Sequence, residues 1–329
     1  MKRMLKVLIT GGAGFIPSSL AEGLLKKGNY AIVCVDNFLT GKRENIPNHP
    51  NCTFIHCDVN NFNDIASVMM TYRFDYVFHY AAVVGVKRTL DNPLLVLDDI
   101  KGIKNILNLS KNTGVKRVFF SSSSEVYGEP VELPQNEETT PLNSRLPYAI
   151  VKNLGESYFK SYYHTHNLPY TIFRFFNTYG LKQSTDFVMN KFIQAATENK
   201  DITVYGDGSQ TRTFCHIDDN IEATINALEQ NKYVNDVLNI GSEIELTIKD
   251  LAKTIIRLSN SKSRIIHLPP LEEGDMTRRM PDNTKMKLLL SRDLTPLEEG
   301  ILSVLKSRQK MASRKYVHLI SPVLANGTY

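Results

Sequence analysis

Tyr148 and Lys152 stand four residues apart in Tyr-Ala-Ile-Val-Lys. On a helix that spacing puts both side chains on one face. An ammonium beside a phenol favours the phenolate. A phenol in water loses its proton only near pH ~10, and a neighbouring positive charge draws that value down. The pair can therefore act as a base towards a sugar or alcohol hydroxyl. Alone the pattern carries little weight, since tyrosine and lysine meet at this spacing on many helices. Its weight comes from a glycine-rich loop that opens the same chain.

That loop, Thr10-Gly11-Gly12-Ala13-Gly14-Phe15-Ile16, follows an apolar run and precedes a helical one. Glycines there allow a tight turn and close approach to a pyrophosphate. The helix N-terminus adds amide donors and the positive end of its dipole. Pro17 stands where the pattern G-x-x-G-x-x-G would have its last glycine. Proline is tolerated in a first turn, where its missing N–H has no intrahelical partner. The close helix–strand contact is left open by it. A glycine turn that merely packs is the competing reading. Asp36 closes the next strand, where an acid binds adenosine ribose hydroxyls. It would repel a 2′-phosphate, and Asn37 follows rather than arginine. Both favour NAD over NADP. Asp58 is read either at the adenine edge or as a loop cap.

Those residues need elements to hold them. Leu5–Thr10, Tyr30–Asp36, Phe54–Asp58, Tyr76–Tyr80, Arg117–Ser121 and Tyr170–Phe175 read as strands, with helices between, the first over Ser18–Lys27. Strict alternation implies a parallel sheet with helices on both faces. The class is α/β, a Rossmann-type doubly wound parallel sheet, whose ligands bind at the carboxyl ends of the strands. After Gly180 the rhythm becomes mixed: helices over Phe187–Glu198, His216–Gln230, Thr247–Ser259 and Thr284–Leu290, with short strands at Ile202–Tyr205, Val237–Ile240 and Ile265–Pro270. This predicts a nucleotide domain over 1–180, with 214–243 returning to it. A smaller mixed α/β substrate-binding domain covers 181–213 and 244–301. A basic tail over 302–329 follows.

The 329 residues carry a net charge of +5, partly from Lys306, Arg308, Lys310, Arg314 and Lys315. A solvated basic helix accounts for that cluster better than nucleic-acid binding does. Cys34, Cys52, Cys57 and Cys215 form no Cys-x-x-Cys pair, which suits free thiols in a reducing compartment. No metal site is read. No apolar run reaches signal-peptide or membrane-span length. The expectation is a cytoplasmic protein without a membrane partner.

The motifs come in a recognisable order. Thr10–Ile16, Asp36, Asp58, His79-Tyr80-Ala81-Ala82, Ser121–Gly128, Tyr148–Lys152 and Phe176–Gly180 precede Val204–Gly208, Thr211–Phe214 and Arg278–Asp282. From about Leu5 to Ile301 the chain resembles the extended short-chain dehydrogenases/reductases, in their NAD-dependent nucleotide-sugar epimerase/dehydratase branch. The resemblance implies that Tyr148 is the base, with Lys152 its partner and Ser123 on the reacting hydroxyl. It implies NAD contacts from Gly11, Gly14, Phe15, Ile16, Asp36, Asn37, Asp58, Val59, Ala81, Ala82 and Ser121, with Tyr148 and Lys152. Asn177 and Arg212 would hold the substrate diphosphate, Tyr205 the nucleotide base, and Arg278 or Arg279 the diphosphate or ribose. Asp99 departs from the family's usual asparagine. A homodimer is implied, pairing through the Tyr148 helix and the one near Leu94–Leu109.

The shared chemistry is oxidation at sugar C4, and the 4-keto intermediate has three fates: epimerisation, decarboxylation or 4,6-dehydration. Glu125, in Ser-Glu-Val-Tyr-Gly, discriminates among them. Simple 4-epimerases need no extra carboxylate, whereas decarboxylases and some dehydratases of the family carry one here. It can equally be a structural carboxylate capping an amide. The Ala81–Pro93 loop reads like an epimerase loop. The sequence places a UDP-sugar 4-epimerase slightly ahead, UDP-glucuronate decarboxylase next and NDP-sugar 4,6-dehydratase third. A catalytically silent dinucleotide sensor is disfavoured by intact Ser123, Tyr148 and Lys152.

Overall fold

The computed structural model describes residues 3–270 and 278–320. The first half runs β1 (Leu5–Thr10), α1 (Phe15–Lys26), β2 (Tyr30–Asp36), β3 (Cys52–His56), α2 (Phe62–Tyr72) and β4 (Tyr76–His79). It continues through α3 (Val86–Asp91), α4 (Pro93–Leu97), α5 (Asp99–Thr113), β5 (Arg117–Ser123), α6 (Pro147–His166) and β6 (Tyr170–Phe175). The second half adds β7 (Thr178–Tyr179), α7 (Val188–Thr197), β8 (Ile202–Tyr205), β9 (Thr211–Thr213), β10 (Cys215–His216) and α8 (Ile217–Glu229). Then come β11 (Asp236–Ile240), β12 (Glu245–Thr247), α9 (Ile248–Ser259), β13 (Ile265–Leu268), α10 (Thr284–Lys287) and α11 (Leu297–Ile320).

Seven parallel strands form the central sheet in the order β11-β6-β5-β4-β1-β2-β3. The order reverses between β1 and β4, which opens a crevice beyond their carboxyl ends. Alternate residues of a strand face opposite sides, and β1 shows it. Val7 and Ile9 join the core under α1 and α8, while Leu8 joins the core under α2, α5 and α6. Burying a leucine or isoleucine this fully contributes about 1.5–3 kcal/mol.

A third core gathers α7, β8, α9 and the start of α11. Helix α11 runs across position 302, where the sequence suggested a tail. Its Ile301, Val304 and Leu305 are buried, so the apolar spacing Ile301, Val304, Leu305 makes one stripe that packs on α9. Residues 321–329 of the expected tail lie outside the described residues. Other boundaries differ as well, among them β3, which runs Cys52–His56 rather than Phe54–Asp58. The first helix starts at Phe15, three residues before the expected Ser18, because Gly14 is its N-cap. Strand β5 extends to Ser123, which brings Ser121, Ser122 and Ser123 onto its carboxyl end. Among the described residues no helix is long and apolar enough to cross a membrane.

Candidate active site

A cavity of ≈ 590 Å³ opens at the crevice. One end is built by the glycine loop. Gly11 has φ +70°, and a Cβ there would sit 2.9 Å from the Ala81 Cα, so only glycine lets β1 turn against the residue after β4. Pro17 is buried in the first turn of α1, and the first intrahelical bond runs from the Ser18 amide to the Gly14 carbonyl at 3.2 Å. The departure from glycine therefore breaks no hydrogen bond. Close approach of the loop to β2 is supplied by Gly12 instead, where a Cβ would lie 2.5 Å from that of Cys34.

Asp36 ends β2 at the cavity. Its carboxylate accepts the Phe38 amide at 2.7 Å and the Ala13 amide at 3.0 Å, one on each oxygen. Each oxygen keeps a free lone pair for a hydroxyl donor. Burial lifts this carboxyl above its usual range, and the two amides oppose the lift. At the switch point the Thr10 hydroxyl accepts the Tyr80 and Ala81 amides, both at 3.0 Å, and lies 2.9 Å from the His79 Nδ1. Burial lowers His79 to about 3. Its neutral imidazole can then accept the threonine proton, which locks the ends of β1 and β4 together.

The other end carries the chemistry. Helix α6 begins with Pro147 and presents Tyr148 and Lys152 along one face. Lys152 lies 5.7 Å from the centre of the Tyr148 ring, and its Nζ donates to the Ser121 carbonyl at 2.6 Å. Burial lowers Lys152 to about 8, and the Asp99 carboxylate opposes this. Tyr148 hydrogen-bonds Ser123, yet burial first and the Glu125 carboxylate second push its phenol up rather than down. The Lys152 ammonium, which donates to the Ser121 carbonyl, is not among the groups that set this direction.

Glu125 lies in a 3₁₀ turn, Ser124–Tyr127, straight after β5; Ser123 caps that turn by accepting the Glu125 amide at 3.2 Å. Its carboxylate meets the Arg279 Nη2 at 2.8 Å, with the arginine 7% exposed and the glutamate 19%. Asp99 accepts the Val83 amide at 2.7 Å, as an asparagine carbonyl would, so the tie between α5 and the loop after β4 survives the departure. Asn177 has φ +33°, and its buried amide nitrogen has no hydrogen-bond partner among the described residues. A buried unsatisfied donor at a cavity wall is a place for a ligand oxygen.

The cavity is lined by Gly11, Gly14, Phe15, Ile16, Asp36, Asn37, Asp58, Val59, Ala81, Ala82, Ser121, Ser123, Glu125, Tyr148, Lys152 and Asn177. Asp58 also accepts the Asn60 amide at 2.9 Å, so it serves as a loop cap whatever else it touches. Tyr205, Arg212 and Arg278 do not line the cavity. Tyr205 sits under the Lys191 ammonium at 5.5 Å, Arg212 donates to the Thr211 carbonyl at 2.7 Å, and Arg278 pairs with Glu245. Arg279 lines the cavity in place of Arg278. Sequence reasoning missed Arg88 and Asp186, which also line the cavity. The Lys87-Arg88 dipeptide shortly after Ala81-Ala82 was the available signal.

The pattern of the NAD dependent epimerase/dehydratase family matches residues 7–241. The chain belongs to that family. The UDP-N-acetyl-alpha-D-glucosaminuronate decarboxylase of Bacillus cytotoxicus is 39% identical over 300 residues, 86% of this chain and 90% of that protein. The UDP-glucuronic acid decarboxylase 1 of Danio rerio is 34% identical, covering 90% of this chain and 71% of its own. Among solved structures, the UDP-glucose 4-epimerase of Thermotoga maritima with UDP-glucose superposes with a TM-score of 0.88 at 30% identity, over 94% of this chain and all of that one (100%). This family member is an NAD-dependent enzyme of nucleotide-sugar chemistry. The glycine cradle at Gly11, the open lone pairs of Asp36 and the neighbouring cavity fit the dinucleotide.

Proposed function

We propose that the protein decarboxylates a UDP-linked uronic sugar through a 4-keto intermediate. One observation carries this: the Glu125–Arg279 pair stands in the wall of the cavity that holds Tyr148. Glu125 already offsets the burial of the Arg279 charge, and the guanidinium's several donors allow it to engage a uronate carboxylate beside that bond. A neutral hexose undergoing 4-epimerisation calls for no such group. The two relatives named as decarboxylases support the same reading.

Tyr148 takes the C4 hydroxyl proton, and Ser123 holds that oxygen. NAD, held by the Gly11–Ile16 loop and Asp36, would accept hydride from C4 and return it. The resulting β-keto acid loses carbon dioxide by breaking the C5–C6 bond, and its electrons move onto the C4 oxygen. The Tyr148 phenol and Ser123 hydroxyl stabilise that enolate, which is quenched by a proton at C5. Arg279 orients the carboxylate, and Glu125 fixes Arg279. Asn177 donates to the diphosphate. Tyr205, Arg212 and Arg278 are assigned to the nucleotide end of the substrate, beyond the cavity. A nucleotide domain and a substrate domain are read as from the sequence, with the substrate domain carried past 301 by α11, whose Val304 and Leu305 join the third core.

The protein is taken to act in the cytoplasm as a homodimer. Leu94, Leu97, Ile150 and Leu154 are exposed on α4 and α6, a face suited to a second copy. Incubation with UDP-glucuronate and UDP-N-acetylglucosaminuronate, with carbon dioxide and sugar products followed by NMR, tests the reading. A 4-epimer with its carboxylate retained would overturn it in favour of 4-epimerisation, the reaction the likeness to the Thermotoga maritima enzyme supports.

A further inference from the structure

Among the described residues, five cationic side chains line the cavity: Lys42, Arg88, Lys152, Lys182 and Arg279. Three have side-chain partners away from an incoming ligand. Lys152 donates to the Ser121 carbonyl at 2.6 Å, and Arg279 holds Glu125 at 2.8 Å. Lys182 donates to Glu22 at 2.7 Å and to the Asn45 carbonyl at 3.2 Å, beside α1. Lys42 lies at the glycine-loop end, where its backbone amide donates to the Ala13 carbonyl at 2.9 Å.

Arg88 differs. Its Nη1 donates to the Val84 carbonyl at 2.6 Å, which aims the guanidinium back across Gly85. Gly85 has φ +104°, and a Cβ there would stand 3.2 Å from that Nη1, so the glycine makes room for the folded-back arginine. The charge is met by Asp186 at a loose 3.6 Å, with the arginine 36% exposed and the aspartate 53%. Asp186 lies on the loop between β7 and α7, downstream of Asn177 with its unpartnered amide nitrogen. The pair thus links the two walls of the cavity. Ion pairs this exposed contribute little, so exchanging Asp186 for a stronger anion is cheap. Guanidinium favours carboxylate and phosphate because its planar fork donates in pairs.

We propose that Arg88 is a substrate-recognition residue, held in waiting by Asp186, that turns to an oxyanion of the nucleotide sugar. The oxyanion is the diphosphate or the sugar carboxylate. The inference rests on the reading of the substrate as a nucleotide sugar and not on the reaction that follows.

Calorimetric titration of the NAD-loaded protein tests it, in a Tyr148→Phe background so that no turnover intervenes. The ligands are UDP, UDP-glucose and UDP-glucuronate. Arg88→Gln should raise Kd by about 10- to 100-fold, the range for a lost charged hydrogen bond. Arg88→Lys should recover part of it. Asp186→Asn should tighten binding, because the competing carboxylate is gone. An equal loss for all three ligands assigns the diphosphate, and a loss confined to UDP-glucuronate assigns the carboxylate. Unchanged Kd values in Arg88→Gln, or weaker binding in Asp186→Asn, would reduce the pair to a structural strut. A wild-type enzyme that releases no carbon dioxide overturns the decarboxylase reading and leaves these titrations standing.

Discussion

The Glu125 carboxylate and the Arg279 guanidinium meet at 2.8 Å, although one follows β5 and the other precedes α10. The pair joins the serine end of the central sheet to the segment that closes the chain over it. Glu125→Gln and Arg279→Gln should each cut carbon dioxide release by about 10²–10⁴-fold, the range for a positioned polar catalytic group. Reduced nicotinamide should still appear, since oxidation at C4 does not need the pair. Following its absorbance beside carbon dioxide release separates the steps. Retention of near-full decarboxylation by Glu125→Gln would reduce Glu125 to an amide cap.

Tyr148→Phe should lower turnover by a similar factor, about 10²–10⁴, with NAD and UDP binding kept. The ring still fills its place on α6, and only the hydroxyl that meets Ser123 is lost. Cofactor content after denaturation, set against kcat, reads both halves of this expectation.

Lys152 gives a pH dependence whose sign is fixed. Its folded value is lowered to about 8 from an ordinary 10.5. Between those values the unfolded chain holds the extra proton, so this group makes stability rise with pH across the window. Below it both states are charged and the slope vanishes. In NAD-free protein, Lys152→Met should flatten the rise in urea midpoint between pH 8 and 10.5. An unaltered slope would show that the lysine is not held at a depressed value.

Behind the serines, Arg174 makes a two-point bond to Glu156, at 2.9 and 2.7 Å, and a third to the Tyr127 hydroxyl at 2.7 Å. Ser122 donates to the same glutamate at 2.6 Å. Arginine and glutamate are 2% and 1% exposed. Arg174→Met leaves the buried Glu156 carboxylate with only the Ser122 hydroxyl and the distant Lys160 ammonium, 4.0 Å away, and should cost about 3–5 kcal/mol. Denaturant unfolding measures it, and a loss under about 1 kcal/mol would show that the pair is not what holds this buried cluster together.

Leu94 is 79% exposed on α4, and Leu154 is 44% exposed on α6. Glutamate at both positions should convert a dimer to monomer in light scattering, with the fold unchanged by circular dichroism. Wild-type protein that is already monomeric at micromolar concentration would end the homodimer proposal.

The alternation of strands and helices, the glycine loop, Asp36 at a strand end and the Tyr148–Lys152 spacing were legible in the chain. Each is encoded within a few residues, by a period of 2 or 3.6 or by a turn that only glycine makes. What the chain does with distant segments was not. The helix around Leu94–Leu109 divides into outward Leu94 and Leu97 and buried Ile103, Ile106 and Leu109, which one apolar pattern could not separate. Arg278 and Arg279 read alike, yet one meets Glu245 and the other Glu125. Val304 and Leu305 belong to a core that needs α9 beside them. Lys152 donates a hydrogen bond to a carbonyl on β5, which the spacing with Tyr148 could not reveal. These outcomes depend on which segment returns to which wall. That choice is made by the burial of whole faces and the pairing of charges far apart in the chain, and no local period records it.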